Sequence, residues 1–262
     1  MYDLPSESPE EPGLPDEFHD YQPQLLSRTL RLAKYPADQV FTGKSIELHY
    51  DEGHPLWQKC PDWFLSIGVP RLYKGQDMRS SYVVWQERVS PFVVVELLSP
   101  GTEAEDLGPF ANISVADEEG KPPRKWVVYE KILQIPYYVV FSRHTRQLRF
   151  FKLLDGAYQE QTVVTQNPQI WLAELEIGLG LWEGKFAGIP HTWLRWCDAE
   201  GNWLPTDTEV AKQQTKQAEI RLEQAEIQLK IAACNLAKAG MMVEQVAQIM
   251  GLSIEQTQKI LS

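Results

Sequence analysis

Apolar residues along the first two-thirds of the chain fall into short runs with the period or continuity of strands. Residues 44–50 (KSIELHY) alternate like a half-buried strand, and 62–68 (DWFLSIG), 81–87 (SYVVWQE) and 91–98 (PFVVVELL) predict three more, the last the most buried. Together they predict a curled antiparallel meander. Residues 125–135 (KWVVYEKILQI) change to a 3.6-residue period, with Pro122 and Pro123 before and Pro136 after, and predict a helix. Strand character returns in YYVVF and QLRFFKLL, so strands, a helix and a strand re-entering the sheet define a mixed α/β core with flanking helices, not a sandwich or a bundle. Residues 177–186 (IGLGLWEGKF) and 193–205 (WLRWCDAEGNWLP) predict a closing hairpin whose Trp residues serve packing.

Outside this core the pattern weakens. Residues 1–24 are dense in Pro and acidic residues and predict a mobile arm, with a short helix around PQLLSRTLRLAKY leading into a domain over 25–207. The stretch GTEAEDLGPFANISVADEEGKPPR predicts a loop. From Thr208 to Ser262 the composition turns to Gln, Glu, Lys and Ala and predicts a helical tail. Leu222, Leu229 and Leu236 are seven apart, with Ala225, Ala232 and Ala239 three residues after each, a short coiled-coil heptad seam. It fits either a stripe packed within its own chain or a homodimer. The end, VEQVAQIMGLSIEQTQKIL, resembles a helix-turn-helix, but its second helix carries only Lys259 as a cation and suits packing better than DNA reading.

Composition narrows the setting. Three widely spaced cysteines without a CxxC pair argue against a disulfide framework or a structural zinc site and fit a cytoplasmic protein. No run of 18 apolar residues and no apolar leader occurs, so neither membrane spanning nor secretion is expected. A net charge of −11 disfavours a generic nucleic-acid coat protein, while leaving room for a local basic groove or a metal-bridged site.

One residue breaks the most apolar strand. Glu96 sits within PFVVVELL, and a buried carboxylate without a partner costs several kcal/mol. Asp62 heads its own strand 34 residues earlier, room for a hairpin that sets the two side by side. Two carboxylates sharing a hard cation such as Mg2+ or Mn2+ suit phosphodiester hydrolysis, aided by a lysine; Lys125 opens the predicted helix with Tyr129 one turn on. Other residues read more plainly. His54, His144 and His191 lack metal-ligand spacing, Ser99 lacks a nucleophile elbow and with Thr102 satisfies a turn, and Arg143, Arg146, Arg149 and Lys152 form a solvated hairpin or a phosphate-facing rim. Glu47 either borders the site or faces outward.

PDWF, then VVVELLSPGTEAED, then KWVVYEKILQIPYYVVF resemble the Uma-two family of bacterial proteins, also known as domain of unknown function 820. The family pattern runs PD, VEVLSPST, D, then K with Tyr four residues on and a GVPEYW-like strand, and the resemblance covers about residues 25–190. It implies the restriction-endonuclease-like PD-(D/E)XK fold. It also implies a metal-dependent endonuclease acting on DNA, with Asp62 and Glu96 as metal ligands and Lys125 as the displaced third catalytic residue. Leu97 and Leu98 follow Glu96, so the lysine of the plain triplet is absent and the site depends on Lys125. Asp106 matches the family's acidic position, but the insertion between it and Lys125 argues against a role. The alternative is a non-catalytic scaffold or protein-interaction module on the same fold.

Overall fold

The computed structural model describes residues 16–99, 101–111 and 120–262. The chain divides into two compact units, Met1–Leu204 and Pro205–Ser262.

The expected arm over 1–24 lies outside the described residues as far as residue 15, and from there it is corrected. Asp16 caps a helix, α1 (Glu17–Thr29), by accepting the N–H groups of Phe18 and His19. Pro23 removes one intrahelical donor, yet Phe18, Leu25 and Leu26 are buried, and that burial outweighs the loss. After α1 come β1 (Val40–Gly43), β2 (Glu47–His49), β3 (Gln58–Lys59), β4 (Trp63–Ile67), β5 (Ser81–Val83), a one-turn α2 (Val84–Glu87) and β6 (Val93–Leu97). A one-turn α3 (Glu103–Asp106) lies within the stretch expected to be loop. Then α4 (Lys125–Val127) widens into a π turn over Val128–Ile132. Six strands complete the unit: β7 (Tyr137–Ser142), β8 (Gln147–Leu154), β9 (Ala157–Gln161), β10 (Ile170–Leu172), β11 (Ile177–Phe186) and β12 (Ile189–Cys197).

The central sheet has the order β1-β4-β6-β7-β8-β9 and is antiparallel except for the pair β6–β7. A parallel pair needs a crossover, and here the crossover carries α3 and α4 back over one face. The simple meander is therefore corrected. The KSIELHY strand leaves the central sheet for a second, three-stranded one, β3-β2-β5, in which β2 and β5 run parallel. SYVVWQE is a strand only to Val83, because the Arg79 guanidinium grips Glu87 through two hydrogen bonds of 2.7 and 3.1 Å and the chain turns into α2 to meet it.

Period 2 sorts the central strands onto two cores. Trp63, Leu65, Val93 and Val95 face α1 and the sheet β10-β11-β12, whereas Phe64, Val94, Tyr138 and Val140 face α4 and the second sheet. Glu96, two residues beyond Val94, points to the second face. At Gly43 a Cβ would fall 2.2 Å from the Phe64 ring and 2.8 Å from Ile46. Gly43→Ala is expected to destabilise the protein by about 2 kcal/mol through overpacking and to lower its thermal midpoint by several degrees in a calorimetric scan.

In the second unit Thr206 caps the long α5 (Asp207–Lys238), and α6 (Val243–Met250) turns into α7 (Ile254–Leu261) at Gly251, which is left-handed with φ +66°. Leu222, Ala225 and Leu229 line a groove with Leu252, Gln256 and Ile260 of the α7 side. Part of the Leu/Ala seam thus borders α7 of its own chain, while Leu222 stays 62% exposed.

Candidate functional site

Asp62 stands one residue before β4, where Trp63 pairs with Val95, so it sits beside Glu96 on the same face as Phe64. Its backbone N–H points to Glu96 Oε2 at 3.4 Å, and its Oδ2 accepts the Leu97 N–H at 2.7 Å. Lys125, the first residue of α4, donates to Glu96 Oε2 at 2.9 Å. Tyr129, one turn on, donates to Glu96 Oε1 at 2.7 Å. The three residues singled out in the sequence converge, and Tyr129 joins them. They lie at the carboxyl end of β6, beside the parallel pair, where open α/β sheets bind ligands.

Asp106 was set aside in the sequence and belongs here. It is 2% exposed, and its Oδ1 lies 3.3 Å from the Lys125 ammonium in an ion pair without hydrogen-bond geometry. Asp106 and Lys125 are thus adjacent in space despite the insertion between them in the chain. Glu105 beside it accepts the Lys125 backbone N–H at 3.0 Å and the Lys59 ammonium at 2.6 Å, pinning the start of α4.

Burial governs the charges. It pushes the Glu96 carboxyl up to about 7, against the pull of Lys125, with Asp62 adding to the rise. Burial likewise lifts Asp106 to about 6. For Lys125 burial opposes the charge, but Asp106, Glu96 and Asp62 outweigh it and hold the ammonium well above the usual lysine range. Tyr129 is raised well above the usual phenol range, by burial and then by Glu96, and remains a donor.

A second layer comes from α1. His19 Nδ1 is 2.8 Å from Asp16 Oδ1, and Nε2 is 3.1 Å from the Leu97 carbonyl. Both of these partners accept, which favours the imidazolium, while the Asp16 N–H at 3.5 Å from Nδ1 and the Ser99 hydroxyl at 3.3 Å from Nε2 also adjoin the ring. Its ionisation is raised: burial opposes the charge, and Asp62 and Asp16 overcome it. His19 therefore grips the carbonyl of the peptide-bond chain whose Leu97 N–H holds Asp62. The sequence left one signal of this, an Asp and a His three apart before an apolar periodic run. His19→Leu is expected to cost about 1–3 kcal/mol near pH 6 by stranding the Leu97 carbonyl. A group raised in the fold stabilises fully below its unfolded value of 6.5, and that share fades as pH rises through the folded value. The gap between parent and variant melts should therefore narrow above neutrality.

Among the described residues no three His, Cys, Asp or Glu converge as a metal cage. The donor set nevertheless fits a hard divalent ion of the kind that keeps most of its waters. Asp62 and Glu96 adjoin, and three carboxylates face one ammonium, an excess of negative charge that burial leaves uncompensated. The remaining candidates stay outside. Glu47 is 51% exposed and near His49, and His54 is exposed and stacks on Trp57. His144 is exposed and His191 half-buried, and Thr102 hydroxyl donates to the Ser99 carbonyl at 3.1 Å. The basic hairpin is neutralised: Arg143 pairs with Asp16, Arg146 with Glu183, Arg149 with Glu160 and Lys152 with Glu174. These pairs suit the solvated hairpin of the two readings.

A mixed sheet with flanking helices and a carboxylate-lined crossover is the restriction-endonuclease-like architecture. The chain belongs to the Uma2 family, described as a putative restriction endonuclease, whose model matches residues 1–187. No curated protein matches the chain. No helix among the described residues is long and apolar enough to cross a membrane.

Proposed function

We propose that the protein is a metal-dependent endonuclease that hydrolyses phosphodiester bonds of DNA, with Asp62, Glu96 and Lys125 as its catalytic residues. The observation that carries this reading is the Lys125 ammonium 2.9 Å from a fully buried glutamate that adjoins a second carboxylate. Asp62 and Glu96 would hold Mg2+ or Mn2+, which supplies charge neutralisation and a more acidic bound water. Lys125 keeps its proton and so serves as a fixed positive charge for the developing phosphorane oxygens, not as a base. Asp106 keeps that ammonium charged, and Glu105 fixes where it emerges. Tyr129 orients Glu96 through Oε1 and leaves Oε2 turned toward Lys125. The Leu97 amide fixes Asp62.

Plasmid cleavage by the full chain tests the reading. The parent should nick or linearise plasmid with Mg2+ or Mn2+ and stop on chelation, and Asp62→Asn and Glu96→Ala should each be slower by about 100-fold or more. A parent inert with both metals would leave the scaffold reading in its place, and an Asp62→Asn protein at the parent rate would remove Asp62 from the catalytic site.

A further inference from the structure

On the flank of the second sheet, Pro70, Tyr73, Lys74, Arg79, Trp85 and Arg88 surround a hollow of about 470 Å³ together with Gln86 and Glu87. Its floor is built from a buried charge. Arg79, whose side chain is 2% exposed, spends its donors on Glu87 and on the carbonyls of Pro70 and Arg71, at 2.8 and 3.1 Å. That pair cancels. Lys74 and Arg88 remain at the rim with Arg71 close by, and no carboxylate pairs with any of the three among the described residues. Residues 70–88 carry four cations and two carboxylates in a chain of net charge −11, and the basic hairpin described above has no such surplus.

The backbone adds a second observation. Lys74 and Arg88 both sit in the left-handed region, at φ +50° and +59°, which costs about 1 kcal/mol or more for a side chain with a Cβ and is more easily met by Gly or Asn. Two cations without carboxylate partners are thus held outward from strained positions around one hollow, Lys74 with its ammonium 5.1 Å over the Tyr73 ring. Half-buried Trp85 lines it as well, and the same loop turns Leu72 and Met78 outward, 39% and 73% exposed. Cations free of carboxylate partners beside an aromatic ring are what a phosphodiester strand requires: the charges meet phosphates and the ring meets a base face. The second sheet links the hollow to the candidate site, because β3 runs on into Asp62 and β5 into α2, with β2 between them, about 10 Å from strand to strand across the pair of spacings.

We infer that this hollow is a DNA-binding subsite, in which Lys74 and Arg88 hold phosphates of the strand being cleaved and Trp85 takes an unstacked base. The inference rests on the nuclease reading for its choice of polyanion. Binding and cleavage are separable, so the two are tested apart.

Anisotropy of fluorescein-labelled oligonucleotides, single-stranded and duplex, is measured on the full chain in chelator, where no cleavage intrudes. A methylphosphonate oligonucleotide of the same sequence serves as the uncharged probe. The Lys74→Gln/Arg88→Gln protein is expected to bind the single strand about 10-fold more weakly than the parent and to lose about 1.4 from the slope of log affinity on log salt, while Arg146→Gln/Arg149→Gln changes neither. Both substituted side chains of the first pair are exposed, and Gln occupies the left-handed region no worse than Lys or Arg, so thermal melts should match the parent. The charge-reversed Lys74→Glu/Arg88→Glu protein should weaken binding further. Parent-like affinity and salt slope in both variants, equal binding of the methylphosphonate probe, or no binding of DNA by the parent would each overturn the subsite. Failure of the nuclease reading looks different: DNA binding that persists in a parent that never cleaves.

Discussion

Lys125→Met is expected to fold and to cleave about 100- to 1000-fold more slowly than the parent, because Met keeps much of the aliphatic stem and removes the charge. The energetic effect is pH-dependent. Breaking a buried ion pair by removing one member costs about 3–5 kcal/mol when the other stays ionised. Here Glu96 and Asp106 have another course, since without the ammonium their protonation is easier still. At pH 5 both are neutral and the variant should melt close to the parent; at pH 8 it should melt far below. Mg2+ should then stabilise the variant more than the parent, by mass action on a site with more repulsion to relieve. Identical melts at both pH values, with and without metal, together with parent-rate cleavage, would make Lys125 an ordinary helix residue.

Glu96→Gln should act in the opposite sense on the metal-free protein. The amide keeps the shape, its oxygen accepting from Lys125 and its NH2 donating to the Tyr129 oxygen. A carboxyl raised from 4.5 to about 7 is held protonated by the fold after the unfolded chain has released its proton. The native state then binds more protons, and stability falls as pH rises from about 4.5 to 7. At ~1.4 kcal/mol per unit the loss is on the order of 3 kcal/mol by pH 8. Asp106, raised from 3.8 to about 6, adds a smaller fall of the same sign. The Gln variant should therefore be inactive and, at pH 8 in chelator, several degrees more stable than the parent, with a flatter stability curve by urea titration. A variant less stable than the parent at pH 8 would show that the Glu96 charge is satisfied without metal.

Much of this site was legible because its signals are local. Glu96 interrupts an apolar strand, and only a compensated carboxylate survives there; Asp62 after a proline and Lys125 with Tyr129 four residues on are fixed by the periods of strand and helix. What failed was of longer range. The Asp106–Lys125 ion pair joins residues far apart along the chain, and that separation conceals it. KSIELHY was read rightly as a strand and wrongly as a neighbour of the central ones, since pairing partners are not written in a strand's own alternation. The first helix was placed six residues late because Pro23 and a run of acidic residues imitate a disordered arm, while the compensating burial of Phe18 is tertiary. Likewise the Leu/Ala spacing announces an apolar stripe without saying that Leu222, Ala225 and Leu229 border α7.

The Gln22 side chain faces β12 and treats it as another strand would. Its amide nitrogen donates to the Leu194 carbonyl at 2.8 Å, and its oxygen accepts the Leu194 N–H at 2.8 Å. Trp196, two residues on, sends its indole N–H to the Leu26 carbonyl at 3.0 Å. A sheet edge so occupied has no vacancy for a foreign strand, and α1 works as a plug against self-assembly. A chain trimmed past Gln22 would offer Leu194 to the next molecule, and the first sign of that loss would be fibrils or soluble aggregates. It would also lack His19, so the treatment that unmasks the edge would loosen the grip on Asp62.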